Sequence, residues 1–198
     1  PAALATGSTL HRRFQAWVQA GVFQTLWRRL RRAYDARRGI AWRWQVVDSA
    51  STKAPLGGDA TGPNPTDRGK GGTKRHVLSD RRGAPLAVHV TAANTHDMKA
   101  LFDTVDHPVV RRPNPAPCRP QHLCLDKGYD YPAIERGVAQ RHYVLHMPHR
   151  GEATVTEVRR HSPKRWVVER THSWHNRYRR LLIRWEKKLA NSLAMRVP

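Results

Sequence analysis

A mixed α/β sheet with helices on its faces is the fold class this sequence predicts, and three observations predict it. Strand-like apolar runs alternate with helix-spaced segments in the order three strands, helix, strand, helix, strand, helix, a pattern that packs as an α/β layer structure. Two of the strand-like runs, WRWQVVD and QHLCLD, end on aspartates, Asp48 and Asp126. A long basic stretch from Ser162 to Trp185 repeats Trp166, Trp174, Tyr178, Leu181 and Trp185 at near-helical spacing and holds a single acid, Glu169.

Taken in order, residues 8–36 read as two short helices. Leu10, Phe14, Trp17 and Val18 repeat at helical spacing, Gly21 breaks the run, and Leu26, Leu30 and Tyr34 resume it. The second helix is rich in arginine, either to lie on DNA phosphates or simply as a solvated face. Ala41 to Asp48 reads as the first strand. Residues 55–72 are dense in Gly and Pro and form a long loop, the kind that is usually functional or disordered. Thr73–Ser79 and Leu86–Thr91 read as a hairpin across Asp80-Arg81-Arg82-Gly83, with Leu86, Val88 and Val90 alternating with Ala87, His89 and Thr91 in the second strand. His96 to Val105 is helical. Five prolines mark Pro108 to Pro120 as a surface loop. Gln121–Leu125 is a strand, Pro132–Gln140 a helix, His142–Met147 a strand and Pro148–His161 a loop. The last helix starts with Ser162 as cap and Pro163 in its first turn.

The chain has 198 residues, enough for one domain with a real core and a small appendage. Its 36 Lys+Arg against 15 Asp+Glu give a formal charge of +21. Such an excess favours a polyanionic partner, nucleic acid ahead of an acidic membrane, because the cations are spread along the whole chain. No apolar run is long enough to span a bilayer. The two cysteines, Cys118 and Cys124, form no CxxC pair. Neither a disulfide framework nor a thiolate zinc site is indicated, and a reducing, intracellular setting fits. The chain opens at Pro1 with no signal peptide in view, and a longer natural protein is expected.

Strand ends on one edge of a sheet are where α/β folds present ligand groups on rigid backbone. If the first and fourth strands are neighbours, Asp48 and Asp126 meet there, and the helix bearing Glu169 can lie across the same edge. Gathered carboxylates repel one another, and a divalent cation relieves that cost most directly. Mg²⁺ takes a few carboxylates plus water and phosphate oxygens. Two such ions assist attack on a phosphodiester and stabilise its leaving oxygen. The bland reading of Glu169 is an ion pair with Arg165 at i, i+4 spacing.

The stretches WRWQVVDSASTKAPLGG, GPNPTDRGKGGTKRHVLSD, GAPLAVHVTAANTHDMKAL, QHLCLDKGYDY and WVVERTHSWHNRYRRLLIRWEK resemble the DDE transposases of bacterial insertion sequences. The resemblance covers most of residues 8–188 and implies an RNase H-like core. It also implies Asp48, Asp126 and Glu169 as catalytic and metal-binding acids, with Mg²⁺ or Mn²⁺, as two ions, for cofactor. DNA cleavage at the element's ends, strand transfer into target DNA and a dimer or larger assembly follow from it, in a bacterial cytoplasm. It implies a division into residues 1–39, a remnant of a DNA-binding region, and residues 40–198, the catalytic domain. Arg165 and Arg177 match the family pattern; Ser162 and Asn176 stand where it often has Tyr and Lys. The rival readings are a nuclease without strand transfer and a truncated remnant that only binds DNA.

Arg68, Lys70, Lys74 and Arg75 flank the glycine-rich loop and are expected to contact phosphate, as Lys127, Arg165, Arg177 and Arg180 are. Asn94 is expected to cap the helix after the third strand, with His96 and Asp97 open between capping and orienting Asp48. Tyr129 either touches DNA or packs on the sheet. His142, His146 and His149 share no helical face and are not read as a zinc site. Most of Trp42, Trp44, Trp166, Trp174 and Trp185 are expected in the core rather than stacked on bases.

Overall fold

A computed structural model describes residues 6–149 and 155–196, with the backbone alone described from 155 to 165. Helix α1 (Gly7–Gln19) begins where the Thr6 hydroxyl accepts the Thr9 N–H, a standard N-cap. Gly21, at φ 67°, breaks the run before α2 (Val22–Arg38); a side chain resists that left-handed conformation. The chain then enters β1 (Trp44–Lys53), a two-residue β2 (Gly62–Pro63), β3 (Gly71–Asp80) and β4 (Pro85–Ala92). Helix α3 (Asp97–Asp106), β5 (Gln121–Cys124), a 3-10 turn (Lys127–Tyr129), α4 (Pro132–Gln140) and β6 (Tyr143–His146) follow. Helices α5 (Val155–Arg177), α6 (Arg179–Leu182) and α7 (Leu189–Ala194) complete the described chain.

The sheet runs β2-β3-β1-β5-β6, with β4 also paired to β3. β1 is antiparallel to β3 and parallel to β5, which is parallel to β6. Successive side chains point to opposite faces of a strand, and the core divides accordingly. Val47, Leu78 and Leu123 belong to the larger cluster with Leu101 of α3 and Ile134 and Val138 of α4. Val46, Val77 and Cys124 face the other way, under Val168 of α5. This is the mixed α/β sheet flanked by helices that the sequence predicts.

The buried Asp80 organises the β3–β4 turn. Its carboxylate accepts the N–H groups of Arg82 and Ala84, and that of Ala41 ahead of β1. Arg82 then donates to the Arg38 and Gly39 carbonyls at 2.7 Å each, which holds the end of α2 against this turn.

Several expectations need correction. Asp48 does not end its strand, because β1 continues to Lys53 against β3; what ends there is its pairing with β5. The cap of α3 is His96, whose ring accepts the Met98 N–H, and not Asn94. Helix α5 starts at Val155, inside the segment expected to be loop, and stops at Arg177. Ile183 then bridges to Lys53 at the end of β1, so extended pairing ends the helical path short of Trp185. The aromatic stripe of this region does not pack inward: Trp166, Trp174, Tyr178 and Trp185 are exposed, and Leu181 alone of the five is buried. The buried side of α5 is Val167, Val168, Thr171, His172 and His175. Aromatic spacing marked a helical face correctly but not which face the sheet covers. Trp42 and Trp44 pack against the two core clusters as expected.

Gly137 of α4 lies against the Phe102 ring, where an added Cβ would clash. The Arg141 guanidinium, 4.0 Å above that ring and paired with Asp106, pins it from outside. Gly137→Ala is expected to lower stability by roughly 1–2 kcal/mol, overpacking outweighing the gain in helix propensity. A denaturant midpoint equal to or above the parent's would sink that assignment.

Candidate functional site: a carboxylate cluster over the parallel strand pair

Parallel pairing matches Trp44 with His122 and Val46 with Cys124. Asp48 and Asp126 each lie two residues beyond the last of these pairs. Asp126 leaves β5 and caps the following turn, its carboxylate accepting the Lys127 N–H at 2.7 Å. That turn buries Tyr129, which is 2% exposed and whose hydroxyl has no hydrogen-bond partner. Its pKa is raised well above the usual phenol value, by burial first and then by the carboxylates of Asp97, Asp48 and Asp126. All three acids therefore act electrostatically on one hydroxyl. Tyr129 packs on the sheet and does not reach outward to DNA.

Asp97, in the first turn of α3, links that helix to β1 beside Asp48. It accepts the Ser49 hydroxyl at 2.9 Å and pairs with Lys74 at 3.0 Å. Lys74 also donates to the Thr95 carbonyl. Its ammonium is largely enclosed, so its first role is to brace Asp97 and not to grip a surface phosphate.

The α5 face of β1 holds a second network. The Arg75 side chain is 1% exposed and donates from Nε to His172 Nδ1 at 3.2 Å, and from its terminal nitrogen to Asn176 Oδ1 at 2.7 Å. A buried guanidinium cannot lie on a DNA backbone, and the expectation of phosphate contact at Arg75 is corrected on that ground. The His172 pKa falls to about 3, chiefly through burial and then through Arg75 and His175. The ring is therefore neutral, and because Nδ1 accepts from Arg75 its proton sits on Nε2. That Nε2 is buried without a hydrogen-bond partner and stands 3.9 Å from Asp48 Oδ2. Asn176, where the resemblance led one to look for Lys, is the acceptor that holds Arg75 in place.

Glu169 is exposed on α5, one residue from Val168, which packs on β1 and β5. Among the described residues, the three-member group of acid or imidazole side chains whose donor atoms all lie within 4.8 Å is Asp130, Glu135 and His149. Asp48, Asp126 and Glu169 are not drawn that close, as mutually repelling carboxylates would not be. His149 therefore meets two acids, with Asp130 at 3.1 Å, whereas His146 pairs with His122 beside Trp44. Arg68, Lys70, Lys127, Arg177 and Arg180 are exposed, and Arg180 is held by Glu186 at 2.9 Å. The Arg165 side chain, like Ser162, lies outside the described residues.

Reading from sequence missed His172. The one signal for it was spacing: His172 and His175 fall one and two turns beyond Val168, on the face that reaches the sheet.

Helices cover a mixed sheet whose parallel pair β1–β5 ends just before Asp48 and Asp126. The family description "Transposase DDE domain" matches residues 43–197, and the chain belongs to that family. Among curated proteins it is similar to one described as "Putative transposase for insertion sequence element IS402", from Burkholderia cepacia. The two are 37% identical over 145 residues, which is 72% of this chain and 65% of that protein. The chain thus spans less than two thirds of that relative's length. Among solved structures, the catalytic domain of Mos1 mariner transposase aligns with a TM-score of 0.38 at 9% identity, over 87% of this chain and 84% of the other. Among the described residues, no helix is long and apolar enough to cross a membrane.

Proposed function

We propose that this chain is the catalytic part of an insertion-sequence transposase, cutting DNA at the element's ends and joining those ends to target DNA. The observation that supports the reading is the parallel pairing of β1 with β5, which ends two residues before Asp48 and Asp126, beneath the helix that bears Glu169. These acids, with no sulfur or imidazole among them, suit hard divalent cations such as Mg²⁺ or Mn²⁺. Bound there, a pair of ions would supply Lewis acidity for phosphodiester cleavage and for attack by the freed 3′-hydroxyl. The chain's own residues supply the rest. Asp97 and Lys74 fix the backbone beside Asp48, His172 orients the Asp48 carboxylate, and exposed Arg68, Lys70, Lys127, Arg177 and Arg180 hold the DNA backbone. A dimer or larger assembly on DNA would hold both ends.

The test is incubation with Mg²⁺ and DNA carrying the element's own ends. Nicked and joined products are expected. Cleavage without joining would reduce the proposal to a nuclease, and salt-sensitive binding without cleavage would leave a DNA-binding remnant.

His172→Phe probes the orienting role separately. It keeps an aromatic ring of similar size but removes the Nε2–H that faces Asp48. Loss of an outer-shell partner typically costs about 10–100-fold in metal affinity or activity. The Mg²⁺ concentration for half-maximal cutting is expected to rise by about that factor. An unchanged Mg²⁺ dependence would mean that His172 only fills space.

A further inference from the structure

Three metal-ligating side chains from three separate segments converge beyond the ends of the parallel strands β5 and β6. Asp130 closes the 3-10 turn that follows β5, Glu135 lies in the first turn of α4, and His149 follows β6. Among the described residues, these are the ones whose donor atoms all lie within 4.8 Å of one another. His149 Nδ1 stands 3.1 Å from Asp130 Oδ1 and 3.9 Å from Glu135 Oε1. None of Asp48, Asp126 and Glu169 belongs to this group.

Ordered backbone presents each ligand. The Asp130 N–H donates to the Lys127 carbonyl, and the Glu135 N–H to the Tyr131 carbonyl, both at 3.3 Å. Tyr131, between Asp130 and Glu135, packs against the larger core cluster, and Met147, just ahead of His149, is buried in it. Strand ends of an α/β sheet present ligand groups on backbone of this kind. A solute can also reach all three. The side chains of Glu135 and His149 are 47% and 49% exposed, and that of Asp130 is 16% exposed.

Zinc takes imidazole nitrogen and carboxylate oxygen at about 2.0–2.2 Å, which sets its ligand atoms roughly 3–4 Å apart. Both spacings from His149 Nδ1 fall in that range. Two carboxylates and a neutral imidazole carry a charge that one divalent cation cancels. The nitrogen donor moves the preference away from Mg²⁺, which takes oxygen, towards Zn²⁺. That donor chemistry separates this group from the all-carboxylate set of Asp48, Asp126 and Glu169.

We propose that Asp130, Glu135 and His149 form a metal site of their own. It takes a divalent cation of the zinc type and ties the end of β6 to the turn in which Asp126 stands. The site lies outside the proposed DNA chemistry and does not depend on it.

The experiment titrates the intact, chelator-stripped chain with Zn²⁺ by calorimetry, in the absence of DNA. His149→Gln and Glu135→Gln are compared with the parent and with His11→Gln, a change at another exposed histidine. Loss of an outer-shell partner alone costs about tenfold or more in metal affinity, so loss of a ligand is expected to weaken Zn²⁺ binding at least that much. His11→Gln is expected to leave it unchanged. The same pattern is expected on an Asp48→Asn background, where the proposed catalytic site is disabled. Zn²⁺ should also raise the urea midpoint of the parent and not that of His149→Gln. Absence of Zn²⁺ binding, equal loss in all three variants, or binding unaltered by His149→Gln and Glu135→Gln would overturn the proposal and leave these residues an ion-paired cluster. All three positions are exposed, so the variants are expected to fold. No DNA enters the measurement, so a chain that does not cut DNA leaves this result intact, and a chain that cuts DNA without binding Zn²⁺ here overturns this site alone.

Discussion

On the proposed reading, Asp48→Asn and Asp126→Asn are each expected to reduce metal-dependent DNA cutting by on the order of a thousandfold or more. A metal ion contributes several kcal/mol of charge stabilisation at a phosphoryl centre, and about 1.4 kcal/mol corresponds to a factor of ten in rate. An amide keeps the shape of the carboxylate but removes the charge that holds the ion. Asp126→Asn also keeps an oxygen that can accept the Lys127 N–H, so the turn that buries Tyr129 is expected to form. DNA binding is expected to survive in both variants, because the contacts proposed for it are arginine and lysine side chains. Glu169→Gln is expected to behave the same way and is the sharpest of the three tests, since Glu169 is exposed and its replacement disturbs no core packing. A Glu169→Gln protein that cuts at the parent rate would remove that residue from the site while leaving the two aspartates standing. Each is measured as cleavage of end-bearing DNA beside a binding curve, which separates lost chemistry from lost affinity.

Stability is expected to fall by several kcal/mol as pH drops from 6.5 towards 4. His76 and His175 have pKa values lowered to about 4. Burial is the largest cause for both. Asp97 partly opposes it at His76, while Arg75 and Arg196 reinforce it at His175. In the folded protein these rings are neutral, whereas in the unfolded chain they take up a proton near pH 6.5. The unfolded state then binds more protons, so the contribution is fully present above pH 6.5 and is lost as pH falls to the folded values. Each such histidine costs on the order of 3 kcal/mol across that window. Urea unfolding at pH 7.5 and pH 4.5 reads the difference, and His175→Gln should flatten it, because glutamine does not titrate. A parent protein equally stable at both pH values would contradict the buried, neutral state of these rings.

Much of this molecule was legible in its residues. Two strand-like runs across a turn marked β3 and β4, and the Gly and Pro content of 55–72 marked the connection between β1 and β3, interrupted there only by the short β2. Aspartates closing two apolar runs pointed to a shared sheet edge, and β1 and β5 are indeed parallel neighbours. These features are local or depend on a period, and sequence carries such information directly. Which face of α5 lies on the sheet was not legible. The tryptophans gave the stronger apolar signal, but the helix buries Val168, Thr171, His172 and His175. A helix face is chosen by what the sheet beneath it offers. Here that is Val46, Val77 and the guanidinium of Arg75, whose buried N–H groups a histidine nitrogen and an asparagine oxygen accept and an indole N–H cannot.

The sequence by itself determined the α/β class, the family to which the chain belongs, the strong positive charge and the candidate acids, because each rests on residue identity and spacing. Tertiary structure alone decided that Arg75 and Lys74 turn inward while other cations stay at the surface. It also decided that the His172 ring comes within 3.9 Å of Asp48 Oδ2. Those outcomes depend on which strands become neighbours and which side chains lose water, and no local pattern encodes either.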